Sequence, residues 1–235
     1  MTRKFLQINL GRGREAQDLM MQKAAEDDID IVLVSEPYGK ISSLNWYEDI
    51  SHRAAIIIRN KNVNVKEIDE SNIGFVYATV DNVRIYSCYF SPNTCHEEFA
   101  AAIINLEESI RGARCKVLIG GDFNSKSPEW NCNILDNRGA TVSEMIGSLG
   151  LTVFNEGQKY TFRRPPGGSI IDITFGTTNF YNDNMNWMVL EDFTLSNHQY
   201  ITFCIDDNSA LAQNDISLPK WNVRKLKEDK LVDYT

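Results

Sequence analysis

The sequence lacks several features that define other classes of protein. It has no CxxC pair, and its five cysteines are scattered and odd in number, which argues against a zinc ribbon and favours reduced, mostly buried thiols in an intracellular protein. It has no run of about 18 apolar residues, so we expect no membrane-spanning helix and no membrane partner. The start of the chain lacks the long apolar stretch of a signal peptide.

The chain also lacks the basic excess of a protein that simply coats nucleic acid. Its formal net charge is −8, which argues against DNA binding driven by bulk electrostatics. An enzyme that gathers carboxylates around a divalent cation is still compatible with this charge, because the metal reverses the local sign. The 235 residues contain no Pro/Gly/Ser-rich linker, and 43% of them are hydrophobic, which is ordinary for a globular protein.

Short apolar runs rich in β-branched residues recur along the chain and predict strands, and three amphipathic segments predict helices. The predicted strands are 4–10, 29–35, 54–59, 63–68, 74–80, 83–90, 116–120, 151–154, 170–175, 187–190 and 200–205, and the predicted helices are 14–26, 96–111 and 138–149. Asp81 and Asn82 predict a hairpin turn between two of the strands. Many strands with a few helices outside them predict an α/β (α+β) sandwich of two sheets.

Polar residues stand where several predicted strands end or begin, and such positions often build functional sites. They are Asn9, Glu36, Asp122, Asn124, Asp172 and His198. Taken singly, Asn9, Glu36 and His198 are better explained as solvated or structural residues. Asp172 is harder to explain in that way, because a carboxylate in an apolar strand is costly unless it is paired or bound to a cation.

The order of these residues resembles the endonuclease/exonuclease/phosphatase superfamily. The matching pieces are QIN at 7–9, SEPY at 35–38, YFSPN at 89–93, GGDFN at 120–124, TF at 161–162, SIID at 169–172 and SNH at 196–198. The segment from GDFN through W to NRG, together with SEPY and the tail LPKWNVRKL, is most similar to the endonuclease domains of non-LTR retrotransposons. The resemblance implies a four-layered sandwich of two mainly antiparallel β-sheets flanked by helices.

The resemblance also implies a metal site and a water-activating residue. Glu36 matches the principal metal carboxylate of the family, with Asn9 supporting it, and ligands of this kind favour Mg²⁺, with Mn²⁺ as an alternative. Asp122 matches the residue that positions or deprotonates the attacking water. Asn124 falls on the same side of an extended segment and would hydrogen-bond the scissile phosphate.

His198 matches a histidine that contacts the phosphate, and Asp172 matches the carboxylate that orients it. The sequence leaves open whether Asp122 or His198 is the base. Tyr89 resembles the family tyrosine near the phosphate, although YFSPN has one extra residue before Pro-Asn. Phe90 has the usual spacing but lacks a hydroxyl, and a local bulge is one way in which Tyr89 could still reach the site. Asn197 stands where the family usually has an aspartate at the metal, and this departure raises the alternative of weakened activity.

DNA contacts are expected from loops around the site. The candidates are Ser169, Arg163, Arg164, Asn93, Arg138 and Trp130. In the retrotransposon domains the hairpin corresponding to 163–168 enters the minor groove, whereas an ordinary loop with solvated arginines explains these residues equally well.

The family resemblance predicts an enzyme that nicks one strand of duplex DNA and leaves a 3′-hydroxyl to prime reverse transcription. We assign residues 1–210 to the endonuclease domain and 211–235 to a charged tail or a linker toward a reverse transcriptase in the same polyprotein. We expect a monomer and a nuclear location. Three alternatives are an abasic-site repair endonuclease, a phosphatase of the same superfamily, and a catalytically lapsed module that only binds DNA.

Overall fold

The computed structural model describes residues 2–180 and 185–206, in which fourteen strands and three α-helices form the elements of the fold. The strands are β1 Thr2–Asn9, β2 Ile31–Ser35, β3 Asn45–Glu48, β4 Ala54–Ile58, β5 Val65–Asp69, β6 Phe75–Val80, β7 Val83–Tyr89, β8 Lys116–Asp122, β9 Thr152–Val153, β10 Phe162–Arg164, β11 Gly167–Ser169, β12 Asp172–Gly176, β13 Met188–Val189 and β14 Ile201–Asp206. The helices are α1 Arg14–Glu26, α2 His96–Arg111 and α3 Asn137–Ser148.

Twelve of these strands form two six-stranded sheets, with the orders β13-β14-β1-β2-β4-β3 and β5-β6-β7-β8-β12-β9. The two remaining strands, β10 and β11, form a separate hairpin. Each large sheet contains one parallel pair, β1 with β2 and β7 with β8, and its other pairs are antiparallel. The sheets are therefore mixed and mainly antiparallel.

The two sheets pack face to face, and helices cover their outer faces. In β2 the side chains of Ile31 and Leu33 enter the core between the sheets, whereas Val32 and Val34 pack in the cluster that includes α1. Because both faces of this strand are covered, it is apolar without alternation. Helices α2 and α3 cover the second sheet with a row of buried side chains: Phe99, Ile103, Leu106, Ile110, Val142, Met145 and Ile146. This arrangement confirms the predicted four-layered sandwich.

Each predicted helix and strand is present, with ends shifted by a few residues, and Asp81 occupies the β6–β7 turn with φ 53°. Three strands were not predicted. Strand β3 is a four-residue edge strand that pairs only with β4, and it is too short to give a clear period. Strands β10 and β11 flank a turn whose prolines and glycines predict only a loop.

The predicted boundary between the domain and its tail lies outside the described residues, since β14 ends at Asp206. Within residues 2–180 and 185–206, no helix is long and apolar enough to cross a membrane.

Candidate active site

The polar residues predicted from the sequence meet at one edge of the sandwich. Asn9 and Asp122 are the last residues of β1 and β8, Glu36 follows β2, and His198 lies shortly before β14. These four side chains line a single cleft of about 410 Å³ together with Tyr89, the last residue of β7. The edge of the sheets thus brings together residues that are up to 189 positions apart, between Asn9 and His198.

Two glycines allow β8 to present Asp122 at this edge. A Cβ atom on Gly121, whose φ is +154°, would lie 2.0 Å from the carbonyl oxygen of Cys88 on the parallel neighbour β7. A Cβ atom on Gly120 would lie 2.5 Å from Oε1 of Gln7 in the opposite sheet. Only glycine fits where backbones and sheets approach so closely. Steric exclusion of any side chain therefore explains why glycine occupies both positions before Asp122 in the GGDFN segment.

Asp122 is almost completely buried, with 1% of its surface exposed. Its Oδ2 accepts hydrogen bonds from Nδ2 of Asn9 at 2.8 Å and from Nδ2 of Asn124 at 3.0 Å. Burial, followed by the charge of Asp172, raises the pKa of Asp122 from 3.8 to about 7. A carboxyl group with a pKa near neutrality can take up and release a proton at physiological pH.

His198 is held between two carboxylates. Its Nδ1 lies 2.8 Å from Oδ2 of Asp172, and its Nε2 lies 3.8 Å from Oδ2 of Asp122. Burial lowers the pKa of His198, but the charge and hydrogen bond of Asp172 and the charge of Asp122 outweigh it and raise the pKa from 6.5 to about 9. The imidazole is therefore a cation at neutral pH, fixed by Asp172 and able to donate from Nε2.

Glu36 reaches the cleft from a left-handed backbone conformation with φ 46°, which is uncommon for a residue other than glycine. Its backbone N–H donates to the carbonyl of Arg53 at 2.7 Å, which holds this conformation. One carboxylate oxygen of Glu36 lies 3.4 Å from Nδ2 of Asn9, the same nitrogen that bonds Asp122. Two carboxylates thus converge on one amide group.

This set of donors fits a hard divalent cation. Glu36 and Asp122 offer only carboxylate oxygen atoms, which Mg²⁺ and Mn²⁺ prefer. Asn9 supports them through its amide nitrogen, while its side-chain oxygen accepts a hydrogen bond from the backbone N–H of Gly11 at 2.8 Å. Among the described residues, Asp122, Asp172 and His198 also form a buried group with possible ligand atoms within 4.8 Å of one another. We favour the oxygen set, because Asp172 already engages Nδ1 of His198.

Asn197 lies at the rim of the site, where it is exposed and shares an adjoining cleft with Asn9 and Glu36. Its backbone carbonyl accepts a hydrogen bond from the N–H of Arg163 at 2.7 Å. This bond ties the segment before β14 to the β10–β11 hairpin.

Tyr89 faces the cleft, while the next residue, Phe90, packs in the core against Phe99 and Phe123. Strand β7 stays in regular register with β8 as far as the pair Tyr89–Asp122. No bulge is needed up to this residue, because regular alternation already turns Tyr89 toward the site. Burial and the nearby charge of Glu36 raise the pKa of Tyr89 to about 12, so its phenol keeps its proton.

Two residues that the sequence offered for DNA contacts have structural roles. Trp130 is fully buried and donates from Nε1 to the carbonyl of Ser125, so it has no surface to offer a partner. Arg138 is half-buried over the ring of Phe99, at 3.9 Å, and donates to the carbonyls of Phe90 and Ser91. Arg138 therefore holds the loop that follows Tyr89.

The other candidates lie on the surface at or near the cleft. Ser169 lines the cleft, whereas Arg163 and Arg164 are exposed on the hairpin and Asn93 is exposed in the loop after β7. The hairpin is joined to the site because Phe162 bridges to His198, with 4.9 Å between the two ring centroids.

Three residues of the site were missed from the sequence. Lys126 and Phe162 line the cleft, and the hydroxyl of Ser35 links the backbone of Asp122 to the carbonyl of Cys88. Asn124 has φ 46° and lies beyond the end of β8, so the segment is not extended there as the sequence predicted, and strand alternation could not have found Lys126.

The comparisons with known proteins agree with this geometry. A family model described as endonuclease-reverse transcriptase matches residues 83–202, just over half of the chain. The chain belongs to this family. The solved endonuclease domain of TRAS1, a telomere-specific non-LTR retrotransposon, is 28% identical, with a TM-score of 0.75, and the match covers 87% of this chain and 98% of that one.

Two further matches are more distant in sequence. A putative 115 kDa protein of the type-1 retrotransposable element R1DM of Drosophila melanogaster is 21% identical over 93% of the chain, which spans only 23% of that protein. The 3′ phosphatase NExo from Neisseria, solved with a product DNA hairpin, is 18% identical with a TM-score of 0.65 over 87% of this chain and 99% of that chain. It shares the fold. The domain is thus an endonuclease domain of the non-LTR retrotransposon type with a nuclease fold.

Proposed function

We propose that the domain is a divalent-metal-dependent endonuclease that nicks one strand of duplex DNA and leaves a 3′-hydroxyl to prime reverse transcription. One observation carries this proposal. A buried carboxylate of raised pKa, an imidazolium fixed by a second carboxylate, and the separate metal-capable carboxylate of Glu36 all face the same cleft. Phosphodiester hydrolysis requires an activated water, a cation on the phosphate and help for the leaving oxygen.

In this reaction Asp122 takes a proton from water as the water oxygen bonds to phosphorus. The P–O3′ bond then breaks, the 3′ oxygen takes a proton from solvent water, and Asp122 returns its own proton to solvent, so the products are a 3′-hydroxyl and a 5′-phosphate. We assign the base to Asp122 because His198 is already charged and bonded to Asp172. His198 and Asn124 donate hydrogen bonds to the phosphate oxygens, where negative charge develops.

The phenol of Tyr89, which keeps its proton, is a further donor to the phosphate. Glu36 would hold the cation, Asn9 would support this carboxylate through its amide nitrogen, and Asn197 lies beside them at the rim of the site. A bound Mg²⁺ or Mn²⁺ supplies positive charge that polarises the phosphate.

The DNA partner is gripped by the hairpin and by the loops around the cleft. Arg163 and Arg164 project from the hairpin, whose backbone is bonded to Asn197, so a contact made there is transmitted directly to the site. Ser169 and Asn93 add polar contacts to the backbone of the cut strand. Because the net charge of the chain is negative, attraction of the DNA phosphates depends on local cations such as Arg163 and Arg164, together with the metal.

The relatives support the wider setting of the proposal. Because the chain spans 23% of the R1DM protein, we propose that a reverse transcriptase follows in the same polyprotein and that residues 211–235 lead toward it. An enzyme that cuts target chromosomes acts in the nucleus, and one complete cleft in one chain is consistent with a monomer.

Supercoiled plasmid provides the test. Incubation with Mg²⁺, with Mn²⁺ and with EDTA should give open circles only with a metal, and Asp122→Ala should give none. A polymerase should extend the nicks without prior phosphatase treatment, since they carry a 3′-hydroxyl. Duplex binding without cleavage in either metal would instead support the lapsed module, the candidate that Asn197 favours. Preferential cutting at abasic sites would support a repair enzyme.

A further inference from the structure

A second cleft lies behind Tyr89, and the described structure assigns it no role in the chemistry above. Its volume is about 410 Å³, and Tyr89 forms a wall of both this cleft and the catalytic one. We call it the Tyr89 side pocket, lined mainly by Arg53, Ile73, Tyr89, Phe90, Phe99 and Ala102. A group bound in this pocket would be separated from the catalytic cleft by the side chain of Tyr89 alone.

The walls of the side pocket suit a flat apolar group with a polar edge. Phe90 and Phe99, which are 5% and 1% exposed, pack edge to face at 5.7 Å and close the bottom of the pocket, and Ile73 is an aliphatic residue that is 68% exposed at the mouth. Ser91, Thr94 and Glu98 place hydroxyl and carboxylate groups at the rim. Aromatic and aliphatic walls with a few hydrogen-bonding groups are the usual surroundings of a nucleobase held outside a duplex.

A cation stands between the side pocket and the catalytic cleft. The guanidinium of Arg53 lies 5.7 Å from the ring centroid of Tyr89, on the wall that the two clefts share. An arginine in this position can pair with a backbone phosphate next to the scissile one.

The pocket is formed before any ligand arrives, because one buried carboxylate ties its loops together. Asp49 is 1% exposed and accepts hydrogen bonds from the backbone N–H groups of Arg53 and Gly74, at 2.8 and 2.9 Å. It also accepts one from the hydroxyl of Ser51 at 2.6 Å. Pre-organised walls reduce the entropy that binding must overcome.

We propose that the Tyr89 side pocket receives one nucleobase of the target strand, adjacent to the scissile phosphate, and that its fit contributes to the choice of cleavage site. This inference rests on the proposed function, since it takes the phosphate in the catalytic cleft to belong to DNA. A phosphate held there brings its flanking nucleosides with it, which makes a nucleobase the occupant that the geometry favours.

The decisive variant fills the pocket without touching the catalytic cleft. Ala102→Leu adds bulk from α2 inside the pocket, and its matched control Ala101→Leu adds the same bulk on the same helix at an exposed position outside it. Substrates are duplexes of one mapped cleavage sequence in which single nucleotides around the nick are replaced, one at a time, by tetrahydrofuran residues that lack a base.

We expect that base removal and Ala102→Leu each raise KM, and that the two changes together raise it no further than either one alone. Removing one base should raise KM of the wild type roughly tenfold, because a stacked base contributes about that much. Ala102→Leu should raise KM on the intact duplex to a similar extent, and base removal should then cost nothing more. Ala101→Leu should behave as wild type. Ile73→Ser, a surface change, should repeat the effect in part if Ala102→Leu folds poorly.

Hydrolysis of bis-p-nitrophenyl phosphate, which is too small to reach both clefts, tests the catalytic cleft without the side pocket. It therefore distinguishes a failure of the pocket proposal from a failure of the proposed function. Equal rates for the wild type and both leucine variants, with the KM pattern above, support the pocket. Equal rates with unchanged KM and cleavage pattern in Ala102→Leu overturn it. If the wild type hydrolyses neither substrate, the proposed function fails, and duplex Kd measured in EDTA with the same base-deletion series then decides for or against the pocket.

Discussion

Oδ2 of Asp172 lies 2.8 Å from Nδ1 of His198, and both residues are buried at the foot of the catalytic cleft. Oδ1 of Asp172 has no hydrogen-bond partner among the described residues. The charge of Asp172 raises the pKa of His198, to which it is hydrogen-bonded, and it also contributes to the raised pKa of Asp122.

Asp172→Asn should lower the pKa of His198, because it removes the charge that raises this pKa to about 9. An NMR titration of the metal-free protein measures it, with the His198 signal identified among three histidines by its loss in His198→Gln. The alkaline limb of the nicking profile should move to lower pH. An unchanged titration curve would show that Asp172 does not control the imidazole.

Asp122→Asn should stabilise the metal-free protein at pH 8 while abolishing nicking. The folded-state pKa is raised from 3.8 to about 7, so the stability linked to this group is fully present below pH 3.8 and lost as pH rises through 7. Asparagine is neutral, so the variant does not have the buried negative charge that destabilises the folded protein at pH 8. For a domain of this size about 1 kcal/mol corresponds to 2–4 °C in Tm.

Thermal unfolding in EDTA at pH 8 and pH 5 checks this prediction. The gain in Tm should be several degrees at pH 8 and smaller at pH 5, where the wild-type carboxyl is already protonated in the fold. A Tm at pH 8 equal to or below that of the wild type would contradict the assignment of a destabilising charge to Asp122.

The sequence predicted the parts of the fold in which one segment alone carries the signal. The run Ile31–Ser35 is apolar on both faces and could be recognised without its neighbours, and α2 has a regular buried stripe. The polar set at the strand ends was recognised because its order along the chain resembles a family, even though each residue alone is explained by ordinary structural roles.

The parts that escaped prediction depend on contacts between distant segments. Trp130 and Arg138 are polar or aromatic residues near the motif, and only their packing shows that they support the loops. The side pocket combines residues from three loops, such as Arg53, Ile73 and Thr94, and no local pattern joins them. The orientation of Tyr89 also depends on a distant segment, because the regular pairing of β7 with β8 turns this side chain toward the cleft without a bulge.

Gly121→Ala should prevent stable folding, because its Cβ would overlap the carbonyl oxygen of Cys88 at 2.0 Å. Gly147→Ala in α3 is the matched control, since nothing lies within 4 Å of its Cβ position. The control should gain roughly 0.5 kcal/mol, as alanine favours a helix over glycine. Urea unfolding of both variants measures the difference. A Gly121→Ala protein as stable as the wild type would disprove the close approach of β7 and β8.

Arg163→Ala and Arg164→Ala should each weaken duplex binding and make it less sensitive to salt. Each lost phosphate contact should reduce the slope of log Kd against log salt by about 1. Fluorescence anisotropy in EDTA over a range of salt concentrations gives the slope. Arg111→Ala, at the C-terminal end of α2, is the control and should leave the slope unchanged. Unaltered slopes for both hairpin variants would make these arginines ordinary solvated residues.

Asn197→Asp should strengthen the response to Mg²⁺, because it places a negative charge beside Asn9 and Glu36 in the adjoining cleft. Nicking should reach half of its maximal rate at a lower Mg²⁺ concentration, and Mg²⁺ should raise Tm more than it does in the wild type. Asn105→Asp adds the same charge on the exposed face of α2 and should change neither quantity. If Asn197→Asp shifted neither the Mg²⁺ titration nor the Tm response, the cation would be held by Glu36, supported by Asn9, without help from the rim. If the wild-type protein were inactive and Asn197→Asp alone gave nicking, the asparagine at position 197 would account for the lost activity. The catalytically lapsed module would then be the correct description of this chain.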